Sequence, residues 1–198
     1  MIRALLALVA LVALAGCGGG GDGAQATGRE IALAKALRQG GVVLVMRHAE
    51  TETATDAVEV LGDCSRQRNL SEAGRAQARR LGRDIKALGV PVQTVLASPL
   101  CRAKETAELA FGRGTPTRVL VSPGVTGTIA ADDRRAAKLR GMTSAPDGEA
   151  TVLVTHTGNI GGAFEQSVEE GDTLVFGDGN LLGTVRPGDW ARLKAALG

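Results

Sequence analysis

The chain has 198 residues, with 23 Lys and Arg against 21 Asp and Glu, a formal net charge of +2 at neutral pH. This near balance, with no basic block, and an aromatic content of three Phe, one Trp and no Tyr exclude a surface built to stack and neutralise nucleic acid. An apolar fraction of 44% fits one globular domain with a core of Ala, Val and Leu, large enough to fold without a structural metal.

Ile2 to Ala15 is nearly continuous apolar sequence preceded only by Arg3. Its about 13 residues fall short of the roughly 20 needed to cross a hydrocarbon core, so it reads as a secretory signal. Leu14-Ala15-Gly16-Cys17 resembles the lipobox of bacterial lipoproteins, which implies cleavage before Cys17 and acylation of that residue. Several acyl chains on one residue would anchor the protein firmly to a membrane of the cell envelope. The Gly-rich run from Gly18 to Gly28 reads as a tether; no strand precedes it and no Gly-Lys-Ser/Thr closes it, so it is not a P-loop. The expected organisation is a signal at 1–16, anchor and tether at 17–29, and one domain at 30–198.

Ile31 to Arg38 shows helical spacing and stops at Gly40-Gly41. Val42 to Met46 is a continuous apolar run, as in a strand covered on both faces. Thr51 to Arg68 reads as a loop. Ser71 then caps a helix carrying Ala76, Ala78, Leu81, Ile85 and Leu88. A strand is expected over Val92–Ala97, a helix over Pro99–Phe111, a short strand over Val119–Val121, a helix over Asp132–Arg140 and a strand over Val152–Thr155. Thr173–Phe176 and Leu181–Val185 form a hairpin-like pair before a last helix around Trp190–Leu197. This alternation predicts an α/β fold of three layers, an open and mostly parallel sheet with helices on both faces.

Three predicted strands end in reactive side chains: Met46-Arg47-His48-Ala49-Glu50-Thr51, Ala97-Ser98-Pro99-Leu100-Cys101-Arg102 and Thr155-His156-Thr157-Gly158-Asn159. In an open α/β sheet the carboxyl ends of strands face one crevice, so both histidines of the chain are expected beside Arg47 and Arg102. Forked guanidinium groups neutralise phosphate, and a neutral imidazole is a competent nucleophile near neutral pH.

Arg47-His48-Ala49-Glu50-Thr51 resembles the Arg-His-Gly/Ala-Glu-Thr signature of the histidine phosphatase superfamily. Leu70-Ser71-Glu72-Ala73-Gly74-Arg75-Ala76-Gln77-Ala78, the segment Ser98-Pro99-Leu100-Cys101-Arg102-Ala103-Lys104-Glu105-Thr106-Ala107, and Val152 to His156 are similar to its further motifs, in the same order. The resemblance implies a phosphoglycerate mutase-like fold and a phosphohydrolase acting on a phosphate monoester or phosphohistidine. His48 would accept the phosphoryl group, with Arg47, Arg102 and His156 around it and no metal or other cofactor. Asn159, Glu50 and Thr51 are secondary candidates for the pocket. Many members carry a general acid after the third strand; here no carboxylate occurs before Asp132 and Asp133, which read equally as the first turn of a helix. The partners implied are a small phosphorylated substrate or a phosphoprotein. A lipid-anchored phosphate-binding protein without turnover and a phosphomutase are the alternatives.

With Cys17 assigned to lipid, Cys64 and Cys101 remain; export suggests a disulfide between them, and two buried thiols are the alternative. Thiol-based phosphatase chemistry is excluded, because Leu70 and Ala107 stand where its loop needs an arginine after each cysteine. Arg66, Arg68, Arg75, Arg79 and Arg80 read most simply as a solvated face, with contact of Arg66 or Arg68 with substrate as the lesser alternative.

Overall fold

The computed structural model describes residues 26–53 and 59–198. The expected signal, Cys17 and most of the tether lie outside the described residues. None of the described helices is long and apolar enough to cross a membrane.

The first helix, α1 (Gly28–Gln39), begins two residues inside the expected tether, because Thr27 caps it. The Thr27 side chain accepts from the Glu30 amide while the Glu30 carboxylate accepts from the Thr27 amide, a closed capping box. Then follow β1 (Val42–Arg47), α2 (Glu72–Leu88), β2 (Val92–Ala97), α3 (Cys101–Phe111), β3 (Thr115–Pro116), α4 (Ile129–Arg140) and β4 (Ala150–Thr155). The chain closes with α5 (Thr157–Phe164), β5 (Thr173–Gly177), β6 (Asn180–Val185) and α6 (Trp190–Ala195).

The six strands form one mixed sheet in the order β3-β2-β4-β1-β5-β6. Pairings among β1 to β4 are parallel, and β5 and β6 add an antiparallel hairpin beside β1. Alternation along β1 defines the layers. Val42, Leu44 and Met46 pack with Leu37 of α1, Leu81 and Ile85 of α2, Ala103 of α3 and Trp190 of α6. Val43 and Val45 pack on the other face with Leu139 of α4 and Ile160 of α5. The α/β class and both covered faces are therefore as expected from the apolar run.

Two expectations are corrected. Val119–Val121 is not a strand: Arg118–Leu120 is a 3₁₀ turn, and Leu120 and Val121 turn inward as buried anchors. Thr115–Pro116 takes the edge of the sheet instead, where proline costs no ladder bond on its solvent side. Helix α4 starts at Ile129, three residues earlier than expected, and α5 was not foreseen.

Candidate active site

The sheet order alone brings the three reactive segments together. β4 lies between β1 and β2, and the register pairs Arg47 with Thr155 and Ala97 with Val154. His48 and His156 therefore leave adjacent strands at one level, with ring centroids 5.2 Å apart. Both are 2% exposed, and Arg102 is 4% exposed.

The backbone of His48 is fixed on two sides: its N–H donates to the Thr155 carbonyl, and its own carbonyl accepts from the Gly171 N–H. The family-like residues of α2 and α3 hold the turn that follows. The Ala49 N–H donates to Thr106 Oγ1 at 3.0 Å, and that hydroxyl donates to the Arg102 carbonyl at 2.7 Å. Ser71 Oγ accepts from the Gly74 N–H and donates to the Glu50 carboxylate. Gln77 Oε1 accepts from the Glu50 N–H. A Cβ on Gly74 would stand 1.8 Å from the Glu50 carbonyl oxygen, so only glycine lets α2 approach this turn.

The His48 ring has a defined tautomer. Its Nδ1 lies 2.9 Å from the Ala49 carbonyl oxygen, which can only accept, so Nδ1 carries the proton. Its Nε2 accepts from Arg102 Nε–H at 3.2 Å, and an arginine nitrogen can only donate. The lone pair of a neutral imidazole thus points at the guanidinium. Burial holds the His48 pKa down to about 3; the Ala49 hydrogen bond opposes this, and the charges of Arg102, Arg47 and Arg68 add to it. Burial, then the proximity of His48 and Arg102, keeps His156 neutral as well, well below the usual histidine range.

Arg47 Nη1 donates to the Val168 carbonyl at 2.8 Å and Nη2 to Glu170 at 3.3 Å. The same Glu170 carboxylate accepts from the Thr51 amide and hydroxyl and lies 3.9 Å from Arg68 Nη2. Arg102 donates through both Nη atoms to the two carboxylate oxygens of Glu59. Asn159 Nδ2 donates to the Val121 carbonyl, tying α5 to the buried 3₁₀ turn. Around the two rings, His156 Nδ1 and Nε2, Arg47 Nε and Asn159 Oδ1 are buried without a hydrogen-bond partner among the described residues. Unpaired buried polar atoms are costly, and their concentration here fits a polar ligand.

Thus Arg47, His48, Arg102 and His156 are assembled, with Asn159 beside them. Thr51 touches the site through Glu170, and the exposed Glu50 carboxylate faces Ser71. Asp132 accepts from Arg135 and from the Gly124 N–H, inside the first turn of α4, and Asp133 is exposed on that turn. Cys64 and Cys101 are bonded to each other, fastening the loop after β1 to the start of α3. Arg68, expected on a solvated face, instead reaches the site, and its carbonyl accepts from Arg102 Nη1 at 3.4 Å. Glu59 and Glu170 were not singled out from sequence. Glu170 had one available signal: it precedes β5, whose start lies beside the end of β1. Among the described residues no three His, Cys, Asp or Glu side chains are grouped as a metal site would require.

A buried neutral imidazole facing a guanidinium, at the carboxyl ends of parallel strands, is an arrangement suited to phosphoryl transfer. Residues 43–126 match the family described as histidine phosphatase superfamily (branch 1). The matched segment carries Arg47, His48 and Arg102, so this part of the chain is similar to the histidine phosphatase superfamily. No curated protein matches it in sequence. Among solved structures it is similar to the protein histidine phosphatase SixA complexed with tungstate. The two share 16% identity with a TM-score of 0.52, over 75% of this chain and 98% of that one. It is also similar to TTHB049 from Thermus thermophilus, at 19% identity and a TM-score of 0.55 over 73% and 99% of the two chains. A mutant phosphoserine phosphatase from Entamoeba histolytica in complex with phosphoserine shares 15% identity, with a TM-score of 0.52 over 72% and 95%. At such identities the likeness is one of fold, the phosphoglycerate mutase-like α/β fold. The family match supports a phosphatase or mutase activity in general.

Proposed function

We propose that the protein is a phosphohydrolase that passes the phosphoryl group of a monoester or phosphohistidine through Nε2 of His48. The observation that carries this reading is the His48 tautomer, with Nδ1–H committed to the Ala49 carbonyl and the Nε2 lone pair facing Arg102. In the first step the Nε2 lone pair forms the N–P bond as the bond from phosphorus to the leaving group breaks, P–O in a monoester or P–N in a phosphohistidine, and the electron pair leaves on that oxygen or nitrogen, which takes its proton from solvent. Water then attacks phosphorus, the N–P bond breaks, and the pair returns to Nε2. Arg47, Arg102 and His156 supply donors to the phosphoryl oxygens, where electrostatic stabilisation of the transferring group does most of the work. Hydrolysis is favoured over mutase chemistry because the segment between β3 and α4, residues 117–128, is too short to carry a substrate-enclosing insertion.

The reading is tested by hydrolysis of para-nitrophenyl phosphate by the protein and by His48→Ala, with and without chelator. Chelator-resistant activity lost in the variant is expected. Equal activity in the variant refutes it, and anion binding without turnover would favour a phosphate-binding protein.

The proposed location is the cell envelope, with Cys17 acylated and the domain held outside the cytoplasmic membrane. The bonded Cys64 and Cys101 support an oxidising compartment. Retention of Cys17→Ala in the membrane fraction, at the level of the unaltered protein, would count against it.

A further inference from the structure

Arg102 is the cation on which the proposed phosphoryl transfer turns, and almost all of its donors are already engaged. Nε–H faces His48, Nη1 and Nη2 grip the two oxygens of Glu59, and Nη1 also reaches the Arg68 carbonyl. This bidentate fork is the geometry with which arginine holds a phosphate. Glu59 is 20% exposed in its side chain, while Arg102 is 4% exposed, so the carboxylate covers the buried cation from the solvent side. Three guanidinium groups, on Arg47, Arg68 and Arg102, face two carboxylates, on Glu59 and Glu170. Glu170 also accepts from the Thr51 amide and hydroxyl and so belongs to the framework. Among the described residues, Glu59 is hydrogen-bonded only by Arg102.

We propose that Glu59 is the counter-ion of the phosphoryl subsite, a specificity-determining carboxylate that competes with phosphate oxygens for Arg102. A buried guanidinium without an anion is costly, so the ligand-free site needs such a partner. A phosphoryl group that takes the Nη donors displaces Glu59, and release of phosphate is assisted when Glu59 returns. The site then holds inorganic phosphate more weakly than its three arginines would by themselves. The choice of phosphate as the displacing anion rests on the function proposed above, whereas the competition itself follows from the pairing of Arg102.

The test is the affinity of the full-length protein for inorganic phosphate at neutral pH, by titration calorimetry, in unaltered protein, Glu59→Gln and Asp63→Asn. Asp63 lies in the same loop and its carboxylate faces Ser65, so its variant controls for net charge. Removing one negative charge within a few ångströms of the bound anion should tighten binding about tenfold or more in Glu59→Gln. Asp63→Asn should bind like the unaltered protein. Glu59→Asp, with a shorter reach, should lie between, and it serves where Glu59→Gln melts early. Equal or weaker phosphate binding in folded Glu59 variants overturns the proposal, because a purely structural carboxylate would loosen the site on removal. Tightening without turnover would uphold the competition and refute only the phosphatase reading. If none of the proteins binds phosphate, both fall.

Discussion

Two buried neutral histidines make the stability of this protein fall steeply under mild acid. In the unfolded chain each histidine titrates near its ordinary value of about 6.5. In the folded chain His48 is held to about 3 and His156 well below its usual range. The folded pKa values are depressed, so the unfolded state binds more protons in the window between. The stabilisation is therefore fully present above about pH 6.5 and is lost as pH falls toward the folded values. Between pH 7 and pH 5, a histidine with these two limits costs about 2 kcal/mol of stability. Both rings are 2% exposed, so solvent screening removes little of this. His156 is held down in the same direction and adds to this loss, so the melting temperature should fall by roughly 5 °C or more for a domain of this size. Asp172 works in the opposite direction, since burial raises its pKa and the folded state gains protons as pH falls. The assay is thermal melting at pH 7 and pH 5, for the protein and for His48→Gln/His156→Gln. A phosphate anion between the rings favours their protonated forms, so saturating inorganic phosphate should flatten the pH slope while raising all melting temperatures. Equal melting temperatures at pH 7 and pH 5 in unaltered protein would refute the reasoning. So would an unchanged slope in the double variant.

Two further outcomes follow from the framework of the site. The Cys64–Cys101 bond closes a loop across a separation of 37 residues, so Cys64→Ser/Cys101→Ser should lose about 4 kcal/mol on loop-closure grounds, read by urea unfolding; a loss below about 1 kcal/mol would contradict it. Thr106→Val keeps the shape but removes the acceptor of the buried Ala49 N–H, which should cost about 1–3 kcal/mol. It should also lower kcat, with both effects restored in Thr106→Ser; full kcat in Thr106→Val would detach Thr106 from the chemistry.

What could be read from the sequence, and what could not, divides along physical lines. β1 was readable because Val42 to Met46 must be apolar on both faces, and both faces are in fact covered. α2 was readable from Ser71 and the spacing of Ala78, Leu81, Ile85 and Leu88, all of which are buried. α5 was not, because Gly158, Gly161 and Gly162 make its segment a poor helix former. It forms through packing: Ile160 and Ala163 are buried against the face that also holds Leu139. Val119 to Val121 misled in the other direction. Its β-branched and aliphatic side chains suited a strand, yet they anchor a turn whose Leu120 and Val121 carbonyls accept from Thr155 and Asn159.

The histidines and arginines of the site were readable because Arg47 closes β1, His48 and His156 follow β1 and β4 directly, and Arg102 stands at the start of α3 just after β2, and in a parallel sheet a strand's end has a known location. The carboxylates were not, since Glu59 and Glu170 belong to irregular segments and find their partners across 43 and 123 residues. Their positions depend on the strand order. β5 runs antiparallel to β1 with Met46 opposite Thr173, so the residues before β5 must arrive where β1 ends. That places Glu170 beside Arg47 once the hairpin is put on this side of the sheet. Glu59 has no comparable strand to place it; a buried Arg102 requires an anion, and the loop after β1 supplies it within reach of the Cys64–Cys101 bond. A cluster of buried arginines thus implies resting carboxylates that sequence motifs alone do not name.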